Sequence, residues 1–206
     1  MTGADPTSGQ DKKRLVAAGY DRIAERYAAW TGDALEGQRA RFVALLAATL
    51  PAGADVLDLG CATGVPVARA LAERFRVVGV DYSARSIAMA RRRVPAATFI
   101  HADMTRLDLP PAAFDAVVSF YAITHVPRDE HPALLAAIAR WLRPGGVFIA
   151  SLGAGDDPGT VEADWLGAPM FFSAYDAPAN LALVEAAGLD VVAADLITER
   201  EDDADV

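Results

Sequence analysis

Three aspartates recur through the first half of the chain: Asp58 in VLDLG, Asp81 in VVGVD and Asp103 in FIHAD. Each sits in or just after a short apolar run, and so at the end of an expected strand, where an open parallel sheet presents its ligand groups. Carboxylates on that edge favour hydroxyls, an amine or a cation. The turn after the first run, Gly60-Cys61-Ala62-Thr63-Gly64, adds backbone N–H groups and a helix N-terminus, which favour an anion. The ligand should therefore carry both kinds of group. Asp81, one strand–helix–strand step beyond Asp58, is placed for bidentate hydrogen bonding to a ribose diol. Asp103, a strand further out, can accept from an adenine amino group, and Tyr82 can cover the ring face.

A dinucleotide loop G-x-G-x-x-G read from Gly60 requires glycine at positions 62 and 65, where the chain has Ala62 and Val65. A phosphate-binding P-loop fails as well, because its Gly-Lys-Ser/Thr ending is missing. A nucleoside without pyrophosphate, but with an amino-acid-like zwitterion, suits the site better.

The elements that position these residues follow from periodicity. Residues 1–11 are polar and aperiodic, which predicts a flexible leader. Leu15, Ala18, Tyr20, Ile23, Ala24, Tyr27 and Trp30 recur at helical spacing, and a second amphipathic stretch runs from Leu35 to Leu50, so 12–50 reads as a helical cap. Short apolar runs then alternate with helical segments, giving strands near 55–59, 76–80, 97–102, 114–120 and 146–152. The class is α/β: a Rossmann-like, doubly wound, mostly parallel sheet flanked by helices. Residues 153–178 read as an irregular acceptor-side loop, followed by a helix near 179–187, a strand near 189–198 and an acidic tail at 199–206. Residues 12–198 make one domain.

The net charge of −9 repels phosphate backbones, which argues against nucleic acid as a partner. Cys61 is the single cysteine, so an internal disulfide is impossible, and no apolar run is long enough to span a bilayer. A cytoplasmic monomer or homodimer acting on a small molecule, without membrane contact, is the expectation.

Several ordered motifs resemble the class I S-adenosylmethionine-dependent methyltransferases, in particular their small-molecule branch. DLGCATG looks like that family's first motif, GVDYS like its acidic ribose strand and HADMTRLDLP like its adenine segment. FDAVVSFYAITHV and LRPGGVFIAS resemble its fourth and fifth strand motifs, and YDRIAERYAAW resembles a cap helix. The resemblance implies S-adenosyl-L-methionine as cofactor, with Asp58, Gly60, Cys61 and Gly64 on its methionine side. It implies that Asp81 holds the ribose diol and that Asp103 with the Met104 backbone reads adenine, with Tyr82 and Phe120 also among the cofactor-binding residues. Tyr20 and Tyr27 are expected near the methyl group, Tyr27 in a catalytic role. Two features depart from the family pattern: Ala62 replaces the middle glycine, and the chain stops soon after the sixth strand, where the family adds a final antiparallel one.

Methyl transfer from a sulfonium is an in-line displacement, so alignment and exclusion of water matter most. His125, just past the fourth strand, is the candidate base, weighed against a capping or packing role. Tyr20, Tyr121, Trp165, Met170, Phe172 and Tyr175 are expected to line the acceptor pocket for an aromatic or heterocyclic metabolite, although clustered aromatics also build satellite cores. No metal is expected, because His125 and His131 lack ligands at a recognised spacing. A catalytically silent adenosyl-binding regulatory protein is the competing reading.

Overall fold

The computed structural model describes residues 8–197. Two helices open the chain, α1 (Gly9–Thr31) and α2 (Gly37–Thr49). Strand–helix alternation follows: β1 (Asp55–Leu59), α3 (Val67–Ala72), β2 (Arg76–Asp81), α4 (Ala84–Arg93), β3 (Thr98–His101), β4 (Phe114–Ser119), α5 (His131–Trp141) and β5 (Leu142–Ala150). A pair of strands, β6 (Asp157–Trp165) and β7 (Ala168–Ala174), precedes α6 (Ala177–Ala186).

The first five strands form one parallel sheet in the order β3-β2-β1-β4-β5. Val56, Leu57 and Leu59 in β1 and Val117 and Val118 in β4 are fully buried, as central strands covered on both faces must be. Strand order reverses between β1 and β4, which opens a crevice at their carboxyl ends. One core layer packs α2, α3 and α4 on the sheet, and another packs α5 and α6 on its opposite face around Trp141, Leu134 and Ile138. β5 begins earlier than its sequence predicts: Leu142 pairs with Phe114 and Val147 with Ala116, so the Arg143-Pro144-Gly145-Gly146 stretch bulges out of the ladder.

Three regions differ from their sequence expectation. Helix α1 begins at Gly9, inside the expected leader, because Ser8 caps it by accepting from the Asp11 amide. The expected loop at 153–178 contains the antiparallel β6–β7 hairpin. Its two-residue turn places Leu166 at φ 51° and Gly167 at φ 92°, the left-handed pair that a tight hairpin needs. With Leu166 in the place where Asn or Asp usually signals such a turn, the pattern is muted. Finally, residues 189–197 form no strand. None of the described strands lies outside β5 to pair with them, Val192 is 95% exposed, and Asp195 is drawn to Arg41 of α2 by an ion pair of 2.6 Å. Residue 198 and the acidic tail at 199–206 fall outside the described residues, as do 1–7.

Candidate functional site

The turn after β1 is built around the switch point. Gly60 (φ 76°) and Cys61 both donate to the Val80 carbonyl, at 2.8 and 3.0 Å, which pulls the turn over the end of β2. A β-carbon on Gly60 would collide with Ala122 beyond β4, so only glycine lets the two chains approach. Ala62 adopts φ 46°, a left-handed conformation that costs an L-residue roughly 1–2 kcal/mol. Its amide donates to Asp81 Oδ2 at 2.9 Å, which offsets that cost and fixes the turn to β2. Gly64 faces away from the crevice, toward Phe99, Ala90 and Val94.

This turn lines one cavity, and a second lies at the ends of β2 and β3. In the first, Asp58, Gly60, Cys61, Ala62 and Phe120 meet Tyr27, Thr31 and Arg39 from the cap. Asp58 is buried and its Oδ2 has no hydrogen-bond partner. Burial, reinforced by the nearby Asp81 charge and opposed by Arg39, pushes its carboxyl up to about 7. Arg39 also lies over the Tyr121 ring, 4.6 Å from its centroid. The sequence leads one to expect a helix N-terminus as the anion donor here. The structure gives α3 only six residues, with Pro66 at its N-cap, so the positive charge at this end comes from Arg39 instead. The Cys61 thiol is buried and pushed well above its ordinary range, first by desolvation and then by Asp81 and Asp58.

Asp81, Tyr82, Ala102, Asp103, Met104, Ala122 and His125 line the second cavity with Lys13 of α1. Asp81 accepts from Ser83 N through Oδ1 (2.8 Å) as well as from Ala62 N, yet burial still raises its pKa. Tyr82 accepts from Gln10 Nε2 at 3.0 Å. Asp103 Oδ1 accepts from Thr105 N and Oγ1, at 2.9 and 2.8 Å, and Oδ2 lies 2.9 Å from Lys13 Nζ. Lys13 is 4% exposed and also donates to Thr105 Oγ1 and Glu130 Oε2, each at 2.7 Å. Desolvation penalises this cation, but Glu130 and Asp103 outweigh it and raise its pKa, while Asp103 is held below its usual range despite burial. The expected adenine reader is thus already paired with the cap.

The side on which the sequence leads one to expect the acceptor is aromatic. Tyr20 meets Tyr27, His125 and Trp165 at ring-centroid distances of 5.3, 5.3 and 5.7 Å, and Trp165 also meets Tyr27, Trp30 and Phe172 at about 6 Å. Arg26 Nη1 donates to the Leu166 carbonyl at 3.0 Å, tying the hairpin tip to α1. His125 is buried, and desolvation lowers its pKa to about 4. Three expected acceptor residues lie elsewhere. Tyr121 packs on the α2-side core beneath Arg39. Met170 is fully buried against Gly19 in the α1–hairpin core, and Tyr175 packs on His131 beneath Arg128. His131 and His101 each bond a backbone carbonyl.

Lys13 and Arg39 are the site residues that sequence reasoning misses. Lys13 shares a spacing of three and four residues with Val16, Tyr20, Ile23 and Tyr27, so its helical phase already puts it on the buried face. Arg39 has no comparable signal. Among the described residues no group of histidine, cysteine and carboxylate side chains could hold a metal ion, and no helix is long and apolar enough to cross a membrane.

A nucleoside-type crevice at the switch point of a parallel sheet, covered by an aromatic helical cap, defines the class of protein, and comparisons with known proteins agree. Residues 56–146 match the methyltransferase domain family. A demethylmenaquinone methyltransferase of Symbiobacterium thermophilum is 32% identical over 160 residues, covering 71% of this chain and 62% of that protein. A 27-O-demethylrifamycin SV methyltransferase of Amycolatopsis mediterranei is 31% identical over 175 residues, covering 72% and 62%. The chain therefore spans less than two thirds of these relatives' lengths. The crystal structure of the Burkholderia thailandensis 1,6-didemethyltoxoflavin-N1-methyltransferase, with bound 1,6-didemethyltoxoflavin and S-adenosylhomocysteine, superposes with a TM-score of 0.67 at 25% identity, covering 90% of this chain and 81% of that one. Residues 56–146 thus form a methyltransferase domain, and the chain is similar in sequence and fold to S-adenosylmethionine-dependent methyltransferases.

Proposed function

We propose that the protein transfers the methyl group of S-adenosylmethionine to a small aromatic or heterocyclic metabolite. The observation that carries this reading is the first cavity, where the unpartnered Oδ2 of buried Asp58 shares a lining with Arg39. A lone buried carboxylate oxygen is costly unless a donor fills it, and an ammonium group is that donor. Arg39 matches the carboxylate of the same zwitterion. Asp81, fixed by two backbone amides, retains lone pairs for ribose hydroxyls. Tyr82 and Met104 would flank the adenine, and Asp103 would read it from its position beside Lys13.

When bound, S-adenosylmethionine supplies a sulfonium methyl carbon open to in-line displacement. The chain's own contribution is positional. Tyr20, Tyr27 and Trp165 close the acceptor side with apolar surface, which excludes water and receives a flat ring. The small-molecule acceptor is supported by this lining, by the chain's negative charge and by the metabolites for which the relatives are named.

Incubation with isotopically labelled S-adenosylmethionine and a metabolite panel, read by mass spectrometry, tests the reading. Labelled product with a ring-bearing acceptor is the expected result. Calorimetric binding of S-adenosylmethionine with no labelled product from any member of the panel would instead favour a silent adenosyl-binding protein.

A further inference from the structure

His125 lies between two partners that define its chemistry. Nδ1 is 2.9 Å from the Phe171 carbonyl of β7, and Nε2 is 2.8 Å from the Tyr20 hydroxyl of α1. A carbonyl oxygen only accepts, so Nδ1 carries the proton and the neutral ring offers its single lone pair at Nε2. Tyr20 then donates its hydroxyl proton to that lone pair. Both imidazole nitrogens are thereby engaged, Nε2 by the Tyr20 hydroxyl, while Phe172 and Trp165 pack on the ring.

We propose that His125 is a positioning residue that orients Tyr20, and that the site takes acceptors whose nucleophilic atom brings its own free lone pair: an amine, a carboxylate, or an enol or phenol acidic enough to ionise in water. The inference rests on the methyl-transfer reading. It follows from where a proton could go. To take one from a neutral O–H or N–H acceptor, Nε2 would have to receive it through Tyr20 and become a buried imidazolium. Phe172, at 4.8 Å, and Trp165, at 6.2 Å, pack on the ring and leave little solvent for that charge. An imidazole titrating at about 4 is outmatched by an ordinary phenol near pH 10 by roughly a million-fold in proton affinity.

The charged groups sharing His125's cavity offer no substitute. Lys13 is a cation and disfavours a second one. Asp81 is committed to two backbone amides, and Asp103 to Thr105 and Lys13. Tyr20 is a phenol whose proton the histidine already accepts. In the displacement, the acceptor's lone pair forms the new bond to the methyl carbon and the carbon–sulfur bond breaks onto sulfur. Any proton on an amine acceptor leaves afterwards to water.

Nitrogen-15 NMR on histidine-labelled protein saturated with S-adenosylhomocysteine tests this between about pH 5.5 and 8.5, with His125→Gln assigning the signal among the three histidines. At every pH His125 should show one protonated and one bare ring nitrogen. In Tyr20→Phe the bare Nε2 signal should shift while Nδ1 stays. Conversion to imidazolium with a midpoint between pH 6 and 8, or a proton on Nε2, would overturn the proposal. With an acceptor from the metabolite panel, the rising limb of the pH–rate profile should follow that acceptor's own pKa and survive in His125→Gln. A limb that vanishes in the variant would also overturn it. Failure of S-adenosylhomocysteine to bind contradicts the cofactor reading instead, and the tautomer is then read in the ligand-free protein.

Discussion

The two walls of the crevice are built by opposite means. The sheet wall uses strand ends and a glycine turn, with carboxylates fixed by backbone amides: Asp81 by Ala62 and Ser83, Asp103 by Thr105. The cap wall uses side chains from α1 and the β6–β7 hairpin that touch one another through aromatic edges, far apart in sequence. One wall is rigid, polar and suited to a ligand of fixed shape. The other is apolar, and swapping its rings re-shapes it without disturbing the sheet. On the proposed function, the first wall holds the cofactor and the second receives the acceptor, a division by which one fold can serve different acceptors.

Lys13 joins the walls, so its loss should have the largest effect. Lys13→Met leaves Asp103 buried without its cation, and we expect a loss of about 3–5 kcal/mol in urea unfolding, with faster hydrogen exchange in α1. Asp81→Ala breaks the sheet wall alone. It strands the Ala62 and Ser83 amides and removes the ribose acceptor, and calorimetry should show S-adenosylmethionine affinity reduced at least a hundred-fold, about 2.7 kcal/mol. Trp165→Ala should do the reverse: cofactor affinity stays within about twofold, stability falls by about 1–2 kcal/mol as ring contacts are lost, and bulkier acceptors are methylated in the mass-spectrometric assay. The smallest effect belongs to Ala62→Gly. It relieves a left-handed β-carbon but frees the unfolded chain, so the thermal midpoint should move by less than about 1 kcal/mol equivalent.

The same division explains what the sequence reveals. Asp58, Asp81 and Asp103 are legible because a strand end is a local feature, marked by the apolar run before it. Tyr20 and Tyr27 are legible through the phase of α1, and that phase also contains Lys13, overlooked because a lysine on a buried face reads as an interruption of the pattern. Arg39 is not legible, since its role depends on how α2 docks beside β1. The hairpin is hidden by Leu166 in its turn and by the mostly exposed face of β6. His125 shows the limit most clearly. Position alone recommends it as a base, whereas the Phe171 carbonyl 46 residues away and the Tyr20 hydroxyl 105 residues away set its tautomer.

The central claim, that Asp58 receives the ammonium of a zwitterionic cofactor, is tested most directly by calorimetric titration of S-adenosylmethionine at pH 7 and pH 5.5 into the wild type and Asp58→Asn. Binding needs the ionised carboxylate, whose pKa before binding is about 7. Protonation below that value therefore competes with the ligand, and wild-type affinity should fall about fifteen-fold over this interval. In Asp58→Asn the affinity should be lower throughout and lose that dependence. Equal affinity and the same pH slope in both proteins would contradict the account.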